Sequence, residues 1–285
     1  MITAETTHQI DNRHGDALYA TVTPAAHDAT SAPLLLILHG FKGFRNYGFL
    51  PWIAQSMSQL GVMSVRMDYS LNGMKGTSWM VQDTDAFARN TISREVDDVH
   101  DLLGAILAHD DFASVRERWD GRLFIMGHSR GGGIAQIVTR ELLAQTPQRH
   151  VRTVVLNSVG TWLRWTPRQR EAWERDGGMT FTNERTGQQL RMNMTYIEDL
   201  DRNADRLSLV EASRACGSAL HFIHAEADLT VPLTEIAALR TASQCEGELT
   251  VITNTTHTFG MTHPVDRITP GLVEMITHAS SWLLQ

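Results

Sequence analysis

Hydrophobic residues along the chain fall into short continuous runs and longer stretches with helical spacing. Continuous aliphatic runs such as Leu34 to Leu38 predict strands that are buried on both faces, because a strand with one wet face would alternate apolar with polar residues. The stretch from Thr91 to His109 repeats its apolar residues every three or four positions, which predicts an amphipathic helix. Its acidic residues, such as Asp97, Asp98 and Asp101, are expected to face water.

The order of these segments predicts a doubly wound α/β fold, in which helices cover both faces of a mostly parallel, eight-stranded sheet. The first two strands suit an antiparallel start, and strands then alternate with helices. The predicted strands cover residues 2–10, 17–22, 34–38, 62–69, 123–126, 152–157, 219–224 and 248–252, and the predicted helices cover 49–60, 91–109, 131–143, 167–175, 197–209, 232–243 and 269–284. A long polar loop is expected over residues 70–90.

The composition changes after Gly160, where the apolar runs stop and charged residues become frequent. We therefore expect residues 1–160 and 216–285 to form the core, and residues 161–215 to form an inserted cap, or lid, that contains a hairpin. Three tryptophans lie in this insertion, at Trp162, Trp165 and Trp173. They either pack the lid against the core or line an aromatic substrate pocket, and the sequence leaves both interpretations open.

A candidate nucleophile lies in the motif Gly127-His-Ser-Arg-Gly131, which follows a short apolar run and precedes a helical pattern. A strand that turns sharply into a helix holds the central residue on a strained corner with its side chain projecting from the sheet, and glycines on either side leave room for the turn. This context predicts that Ser129 is a catalytic nucleophile.

A serine hydroxyl needs a base to accept its proton, and the base needs an anionic partner to orient it. Asp228 follows the predicted strand that ends at His224, and His257 follows the next strand in a short polar loop. Because ligands and catalytic groups gather at the carboxyl ends of parallel strands, these two residues are the predicted acid and base. Glu226 and His263 are their nearest competitors in the sequence.

Acyl transfer also needs donors for the negative charge that develops on the carbonyl oxygen. The helix after Ser129 begins at Arg130, whose backbone N–H is one predicted donor. The second is the backbone N–H of Phe41 in the loop His39-Gly-Phe-Lys-Gly43, where Gly40 permits close approach. We expect His39 itself to be structural and to bond to the loop backbone.

Composition and charge narrow the class of partner. The 285 residues carry a formal charge of −7 and contain no long basic run, which argues against a nucleic-acid groove or an anionic membrane surface. Cys216 and Cys245 form no metal or redox motif, and no cofactor fingerprint occurs, so neither a metal nor an organic cofactor is expected. The N-terminus has no signal-peptide pattern and no run is long enough to cross a bilayer, which predicts a soluble, cytoplasmic protein.

The order Ser129, Asp228, His257, together with the His39-Gly40-Phe41 loop, resembles the α/β-hydrolase superfamily of serine hydrolases over the whole chain. A looser likeness is to dienelactone-hydrolase-like proteins and to carboxylesterases of the cinnamoyl or feruloyl type. Dienelactone hydrolases use a cysteine nucleophile where this chain has Ser129. The resemblance implies hydrolysis of a small-molecule carboxylic ester through an acyl-enzyme.

Two other functions remain open at this level. The same triad serves aminopeptidases and amidases that act on short peptides, and lid carboxylates such as Glu198, Asp199 and Asp201 could hold the free amine of such a substrate. A hydrolase fold can also bind a ligand without catalysis. The sequence leaves acyl chain length and oligomeric state, monomer or homodimer, undecided.

Overall fold

A computed structural model describes residues 4–26, 30–76, 78–148 and 150–285 of the chain. Eight strands form one sheet, and two more form a separate hairpin. The strands are β1 (Thr6–Asp11), β2 (Ala17–Thr23), β3 (Ala32–Leu38), β4 (Met63–Asp68), β5 (Trp119–His128), β6 (Val151–Leu156), β7 (Gly178–Thr182), β8 (Gln189–Asn193), β9 (Leu220–Ala225) and β10 (Glu248–Ile252). The start of the first predicted strand lies outside the described residues.

The sheet confirms the predicted architecture. Its order is β1-β2-β4-β3-β5-β6-β9-β10, with β2 antiparallel to both of its neighbours and every other neighbouring pair parallel. Successive residues of β3 belong to different hydrophobic clusters: Leu34 and Leu36 pack into one, and Leu35 and Ile37 into the other. The sheet is therefore buried on both faces, which explains why its central strands are continuously apolar.

Helices cover both faces of this sheet. They are α1 (Leu50–Gln59), α2 (Thr84–Ala88), α3 (Ile92–Ala108), α4 (Ala113–Arg118), α5 (Arg130–Gln145), α6 (Pro167–Asp176), α7 (Thr195–Arg202), α8 (Leu209–Cys216), α9 (Leu233–Ser243) and α10 (Pro270–Leu283). Side-chain caps begin several of them. Thr91 Oγ1 accepts the N–H of Arg94 at the start of α3, and Thr269 Oγ1 accepts that of Leu272 at the start of α10.

Two predictions of secondary structure were wrong. The expected loop over residues 70–90 contains the short helix α2, which Asp83 caps by accepting the N–H of Ala86. The expected helix over residues 197–209 is instead two helices, α7 and α8, separated by a turn after Arg202. Helical spacing of apolar residues continues across that turn, so the pattern alone could not locate the break.

The expectation that the acidic residues of α3 face water was wrong for Asp98. Its carboxylate is fully buried and accepts hydrogen bonds from Asn12 Nδ2 at 2.8 Å and from the backbone N–H of Ser70 at 2.7 Å. Burial raises the pKa of Asp98 to about 6, against the effect of these hydrogen bonds. Asp98 therefore joins the β1–β2 turn to the end of β4 instead of solvating the helix.

The segment between β6 and α8 contains α6, the β7–β8 hairpin and α7. The hairpin contacts the loop after β4, because the side-chain amide of Gln188 accepts the N–H of Val81 and donates to its carbonyl oxygen. We retain residues 161–215 as the proposed lid. Within the described ranges, no helix has the length and apolar character required to cross a bilayer.

Candidate active site

Ser129 lies at the junction of β5 and α5 with φ 57° and ψ −120°. This region of backbone space is strained for any residue with a side chain. Two main-chain hydrogen bonds stabilise this conformation. The Ser129 N–H donates to Leu156 O of β6 at 2.9 Å, and the Ser129 carbonyl oxygen accepts the N–H of Gly132 at 3.0 Å. The sharp strand-to-helix turn is the geometry of a nucleophile elbow.

The two glycines that flank the elbow are required by backbone contacts. A Cβ on Gly127 would lie 2.1 Å from the carbonyl oxygen of Gly131, and a Cβ on Gly131 would lie 2.5 Å from that of His39. Backbone atoms cannot move aside as the end of a side chain can, so neither position accepts a larger residue. The glycine spacing therefore allows β5, α5 and the loop after β3 to meet.

The predicted acid and base are in contact. His257 Nδ1 lies 2.7 Å from Asp228 Oδ2, and Asp228 Oδ1 accepts the backbone N–H groups of Thr230 and Val231 at 2.8 and 2.9 Å. Burial acts to raise the pKa of Asp228, but the hydrogen bonds from His257 and the two amides outweigh it, so that the pKa is lowered. An ionised Asp228 accepts the N–H of His257 Nδ1, and Nε2 then has no hydrogen-bond partner among the described residues.

Ser129 and His257 line the same cavity, which has a volume of about 330 Å³ and which we call the histidine-side cavity. Among the described residues no hydrogen bond joins the serine hydroxyl to the imidazole. Such contacts in hydrolases often tighten only when substrate is bound. The fold thus pairs His257 with Asp228 and brings Ser129 to the wall of the cavity that His257 also lines.

Both predicted oxyanion donors are near this serine, since Arg130 follows it in the chain and Phe41 lines the histidine-side cavity with it. In the described parts of the chain, neither the Phe41 N–H nor the Arg130 N–H meets a hydrogen-bond acceptor. The loop that carries Phe41 approaches closely at Gly40, where a Cβ would lie 3.0 Å from Ser129 Cβ and 3.2 Å from His128 O. Free amides beside a serine hydroxyl are suited to an oxyanion.

The side chain of His39 stabilises the same loop. Its buried ring donates from Nδ1 to Gly40 O at 2.9 Å, and its Nε2 lies 3.3 Å from Asn72 Nδ2. The ring also packs edge-on against Tyr69, with centroids 4.6 Å apart. Burial lowers the pKa of His39 and keeps the ring neutral, so His39 has the structural environment expected from the sequence.

His128, the residue before the serine, holds the loop that carries His257. Its Nε2–H donates to the backbone carbonyl oxygen of His257 at 2.8 Å, and Asn157 Nδ2 donates to the same oxygen at 2.7 Å. Burial, with a smaller effect from the nearby His257, lowers the pKa of His128 to about 3. His128 is therefore neutral at all ordinary pH values and acts as a fixed hydrogen-bond donor.

A second cavity, of about 360 Å³, shares Phe41, Lys42 and Ser129 with the first; we call it the aromatic cavity. All three lid tryptophans line it, so these side chains both pack and bound an open space. Trp173 stacks on Tyr196 with ring planes 5° apart, and Trp162 lies over Gly133, where a Cβ would be 2.4 Å from the indole. The other aromatic side chains of the wall are Phe41, Phe181 and Tyr196.

Several residues of this wall were not predicted from the sequence. Arg130 was identified only for its backbone, yet its side chain also lines the aromatic cavity, with Lys42 and Arg164. Behind Arg130 lies Glu95, a buried carboxylate on α3 whose Oε1 is 3.3 Å from Arg130 Nη1. A signal for Glu95 existed, because it is three residues after Ile92 and four before Val99 on the apolar side of the helix.

The competing residues lie elsewhere. Glu226 is exposed and accepts a hydrogen bond from Asn254 N, and His263 Nδ1 accepts the N–H of Gly48. The lid acids considered for amine binding do not line either cavity: Glu198 is exposed, Asp199 accepts the N–H of Ser93, and Asp201 pairs with Arg170 at the surface. In the ranges that the structure describes, no cluster of three or more His, Cys, Asp or Glu side chains could hold a metal ion.

Comparisons with known proteins agree with this fold. A family model described as an alpha/beta hydrolase fold matches residues 87–261, a range that includes Ser129, Asp228 and His257. A search of curated protein sequences found no match.

Solved structures show the same fold at low identity. The alpha/beta hydrolase GrgF from Penicillium sp. sh18 is 15% identical with a TM-score of 0.69, covering 99% of this chain and 98% of that chain. Est1E from Butyrivibrio proteoclasticus with ferulic acid bound is 15% identical with a TM-score of 0.68, covering 97% and 98%. An alpha-beta serine hydrolase homologue from Coxiella burnetii is 12% identical with a TM-score of 0.60, covering 98% and 96%. At these identities the likeness establishes the fold alone.

Proposed function

Because the chain belongs to the alpha/beta hydrolase family, we propose that it is a serine hydrolase that cleaves carboxylic esters of small molecules through an acyl-enzyme. One observation carries the proposal: the 2.7 Å contact between His257 and Asp228 lies at a cavity that Ser129 shares from a strained elbow. A buried carboxylate, an oriented imidazole and a serine at the wall of a cavity are the parts that acyl transfer requires.

In the first step, Ser129 Oγ attacks the ester carbonyl carbon while His257 Nε2 accepts the hydroxyl proton. Asp228 stabilises the imidazolium that forms and keeps its orientation. The carbonyl oxygen becomes an oxyanion, which the N–H groups of Phe41 and Arg130 bind. His257 then gives its proton to the leaving alcohol, and the acyl group remains on Ser129.

In the second step, water takes the place of the alcohol. His257 accepts a proton from that water as it attacks the acyl-enzyme, and the same two amides bind the second oxyanion. Collapse of this intermediate returns the proton to Ser129 and releases the carboxylic acid. Each step uses only groups of this chain and water, and the protons balance over the cycle.

The positions of the two cavities support an assignment of the two halves of the ester. The leaving oxygen must receive its proton from His257, and His257 lines the histidine-side cavity but not the aromatic one. We therefore place the alcohol in the histidine-side cavity and the acyl group in the aromatic cavity. The flat walls formed by Trp162, Trp165 and Trp173 suit an aromatic acyl group. Est1E, which shares the fold, has been solved with the aromatic acid ferulic acid bound.

The peptide alternative has less support from the site. An aminopeptidase needs an anionic group for the substrate's free amine, and no Asp or Glu of the described residues lines the aromatic cavity. The histidine-side cavity includes one carboxylate, Glu184, which is exposed and adjoins Arg185 and Lys42. An ester substrate fits this distribution of charge better than a cationic peptide terminus.

The proposal is tested with p-nitrophenyl and methyl esters of benzoic and cinnamic acids, assayed beside amino-acid p-nitroanilides. We expect ester hydrolysis by the wild type and a loss of about 10⁵-fold or more in Ser129→Ala, because the nucleophile is removed. Ser281→Ala, an exposed serine on α10, is the matched control and should retain full activity. Equal activity of Ser129→Ala and the wild type would disprove the proposal, and hydrolysis of the anilides alone would move it to the peptide alternative.

A further inference from the structure

The aromatic cavity is cationic, although the chain as a whole is acidic. Lys42, Arg130 and Arg164 line it, and its wall in the described residues contains no Asp or Glu. The formal charge of the whole chain is −7, so this local excess of positive charge does not follow from the composition. A pocket that needed only to hold a neutral aromatic group would have no use for these charges.

Arg130 is the most buried of the three, with 8% of its surface exposed. The only hydrogen bond from its guanidinium to a described residue runs from Nη1 to Glu95 Oε1 at 3.3 Å, which is long for an ion pair. That oxygen is shared, since Asn90 Nδ2 donates to it at 2.7 Å. The remaining N–H groups of the Arg130 guanidinium have no acceptor among the described residues, while the side chain lines the cavity.

Aromatic rings hold this guanidinium in place. Its central carbon lies 4.1 Å from the ring centroid of Phe41 and 5.3 Å from that of Tyr196. Rings against the face of a guanidinium leave its in-plane N–H groups for hydrogen bonds. One edge is directed at Glu95, and the free donors are therefore fixed in orientation before any ligand arrives, which lowers the entropic cost of binding.

Lys42 supplies a second charge at the junction of the two cavities. Its Nζ donates to Thr182 O of the hairpin at 2.9 Å and lies 5.6 Å from the Phe41 ring centroid. No carboxylate of the described residues lies within ion-pair distance of it. Arg164 is less available, because it pairs with Glu235 at 3.5 Å and donates to Thr230 O.

A buried charge is costly unless it is paired and hydrogen-bonded. Arg130 has an incomplete set of partners, and Arg guanidinium groups match carboxylates through two parallel N–H···O bonds. We propose that Arg130, with Lys42, forms an anion-binding subsite in the aromatic cavity, and that the acyl group of the substrate is an aromatic acid with a second, negatively charged group. This inference rests on the proposed function, because it places the acyl group in that cavity.

Matched ester pairs test the subsite. Each pair consists of the methyl ester of a carboxy-substituted cinnamic or benzoic acid, with the charge at the 3- or 4-position, and its carbamoyl counterpart of the same shape without charge. Hydrogen bonds to a charged group contribute about 1.5–3 kcal/mol, so we expect at least one pair to show a ratio of kcat/KM of roughly 10- to 100-fold in favour of the anion. Ratios near one for every pair would overturn the proposal.

Variants identify the groups responsible. Arg130→Gln alone would leave Glu95 buried without its cation, so the test uses Arg130→Gln combined with Glu95→Gln, and separately Lys42→Met. Both should bring the ratio for the preferred pair towards one, with the larger change in the Arg130 variant. Arg168→Gln removes an exposed lid arginine that lines neither cavity and should keep the wild-type ratio. Equal loss in Arg168→Gln would show that general surface charge, and not the subsite, sets the preference.

A binding measurement separates this inference from the proposed function. Isothermal titration calorimetry of the wild type compares 4-carboxycinnamic acid with 4-carbamoylcinnamic acid, or the corresponding 3-substituted acids. Both ligands carry the cinnamic carboxylate, and they differ in whether the ring substituent is a second carboxylate or a neutral amide. We expect the dianion to bind at least about tenfold more tightly and to lose this advantage in the Arg130 variant. Tighter binding of the dianion without any ester hydrolysis would refute the proposed function but support the anion-binding subsite. Hydrolysis of neutral esters, with no preference for the anionic ester or ligand, would support the proposed function but refute the subsite.

Discussion

Replacement of His128 by Gln tests the environment that the structure gives to the residue beside the nucleophile. Burial lowers the pKa of His128 to about 3 from 6.5, its ordinary value and the one expected in the unfolded chain. Between pH 6.5 and about pH 3, His128 is protonated in the unfolded chain but not in the folded protein. The free energy of unfolding therefore falls as the pH falls through this range. The slope from this one group is at most about 1.4 kcal/mol per pH unit, which amounts to about 2 kcal/mol by pH 5 and about 3 kcal/mol by pH 4.

Gln keeps an N–H donor for the carbonyl oxygen of His257 but does not titrate. Between pH 7 and pH 4, His128→Gln should therefore lose about 3 kcal/mol less of its free energy of unfolding than the wild type. Contributions from other buried histidines, such as His39 and His224, are common to both proteins and cancel in the comparison. Urea unfolding followed by circular dichroism at each pH measures the difference, and His109→Gln, at an exposed histidine, is the matched control. Parallel curves for His128→Gln and the wild type would refute the buried, neutral state of His128.

Two further substitutions probe the catalytic groups. Asp228→Asn removes the anion that orients His257 and should lower kcat by about 10⁴-fold with little change in KM, measured with a chromogenic ester; a loss below about tenfold would contradict the assigned role. Gly40→Ala would put a Cβ 3.0 Å from Ser129 Cβ and displace the loop that carries the Phe41 amide, so kcat should fall by about 10²- to 10³-fold. The control is Gly104→Ala on α3, where the added Cβ would meet no other atom; it should keep full activity. Its free energy of unfolding should rise by about 0.5–1 kcal/mol, because alanine favours the helix over glycine. Equal activity of the two alanine variants would contradict the oxyanion role of the loop.

Features with a local cause could be predicted from the sequence. The continuous apolar run of β3 encodes a strand buried on both faces, and the glycines at 127 and 131 encode a turn that no larger residue can make. The choice of Asp228 and His257 came from local position together with chain order, because each follows a strand whose carboxyl end lies at the same edge of the sheet and they come after Ser129 in the order acid, base. Glu226 follows the same strand as Asp228, so position after a strand does not by itself exclude it. The structure places Asp228 and His257 in contact, and Glu226 and His263 apart from them.

Features with a non-local cause could not be predicted. Asp98 is polar, and only its contacts with distant residues show why it is buried: Asn12 is 86 residues away and Ser70 is 28 residues away. Glu95 likewise depends on Arg130, which is 35 residues away. Periodicity along one helix shows which side is apolar, but it does not show which distant polar group binds a buried carboxylate. The sequence therefore predicts an exposed Asp98 and gives no role to Glu95.

The lid shows the same limit. Its tryptophans could be named as pocket candidates from composition, but the wall that they form with Phe181 and Tyr196 depends on how α6, α7 and the β7–β8 hairpin pack together. The side chain of Arg130 was overlooked for a related reason. Its position at the start of α5 predicts a role for its backbone N–H, but nothing in the local sequence shows that its side chain lines a cavity.

Covalent labelling with a fluorophosphonate probe, followed by peptide mapping, tests whether Ser129 is a nucleophile activated by the His257–Asp228 pair. We predict one label per chain, on Ser129, and a labelling rate at least about 100-fold lower in the folded His257→Gln variant, because the general base is lost. A label on another residue, no label on the folded wild type, or an unchanged rate in His257→Gln would contradict the claim.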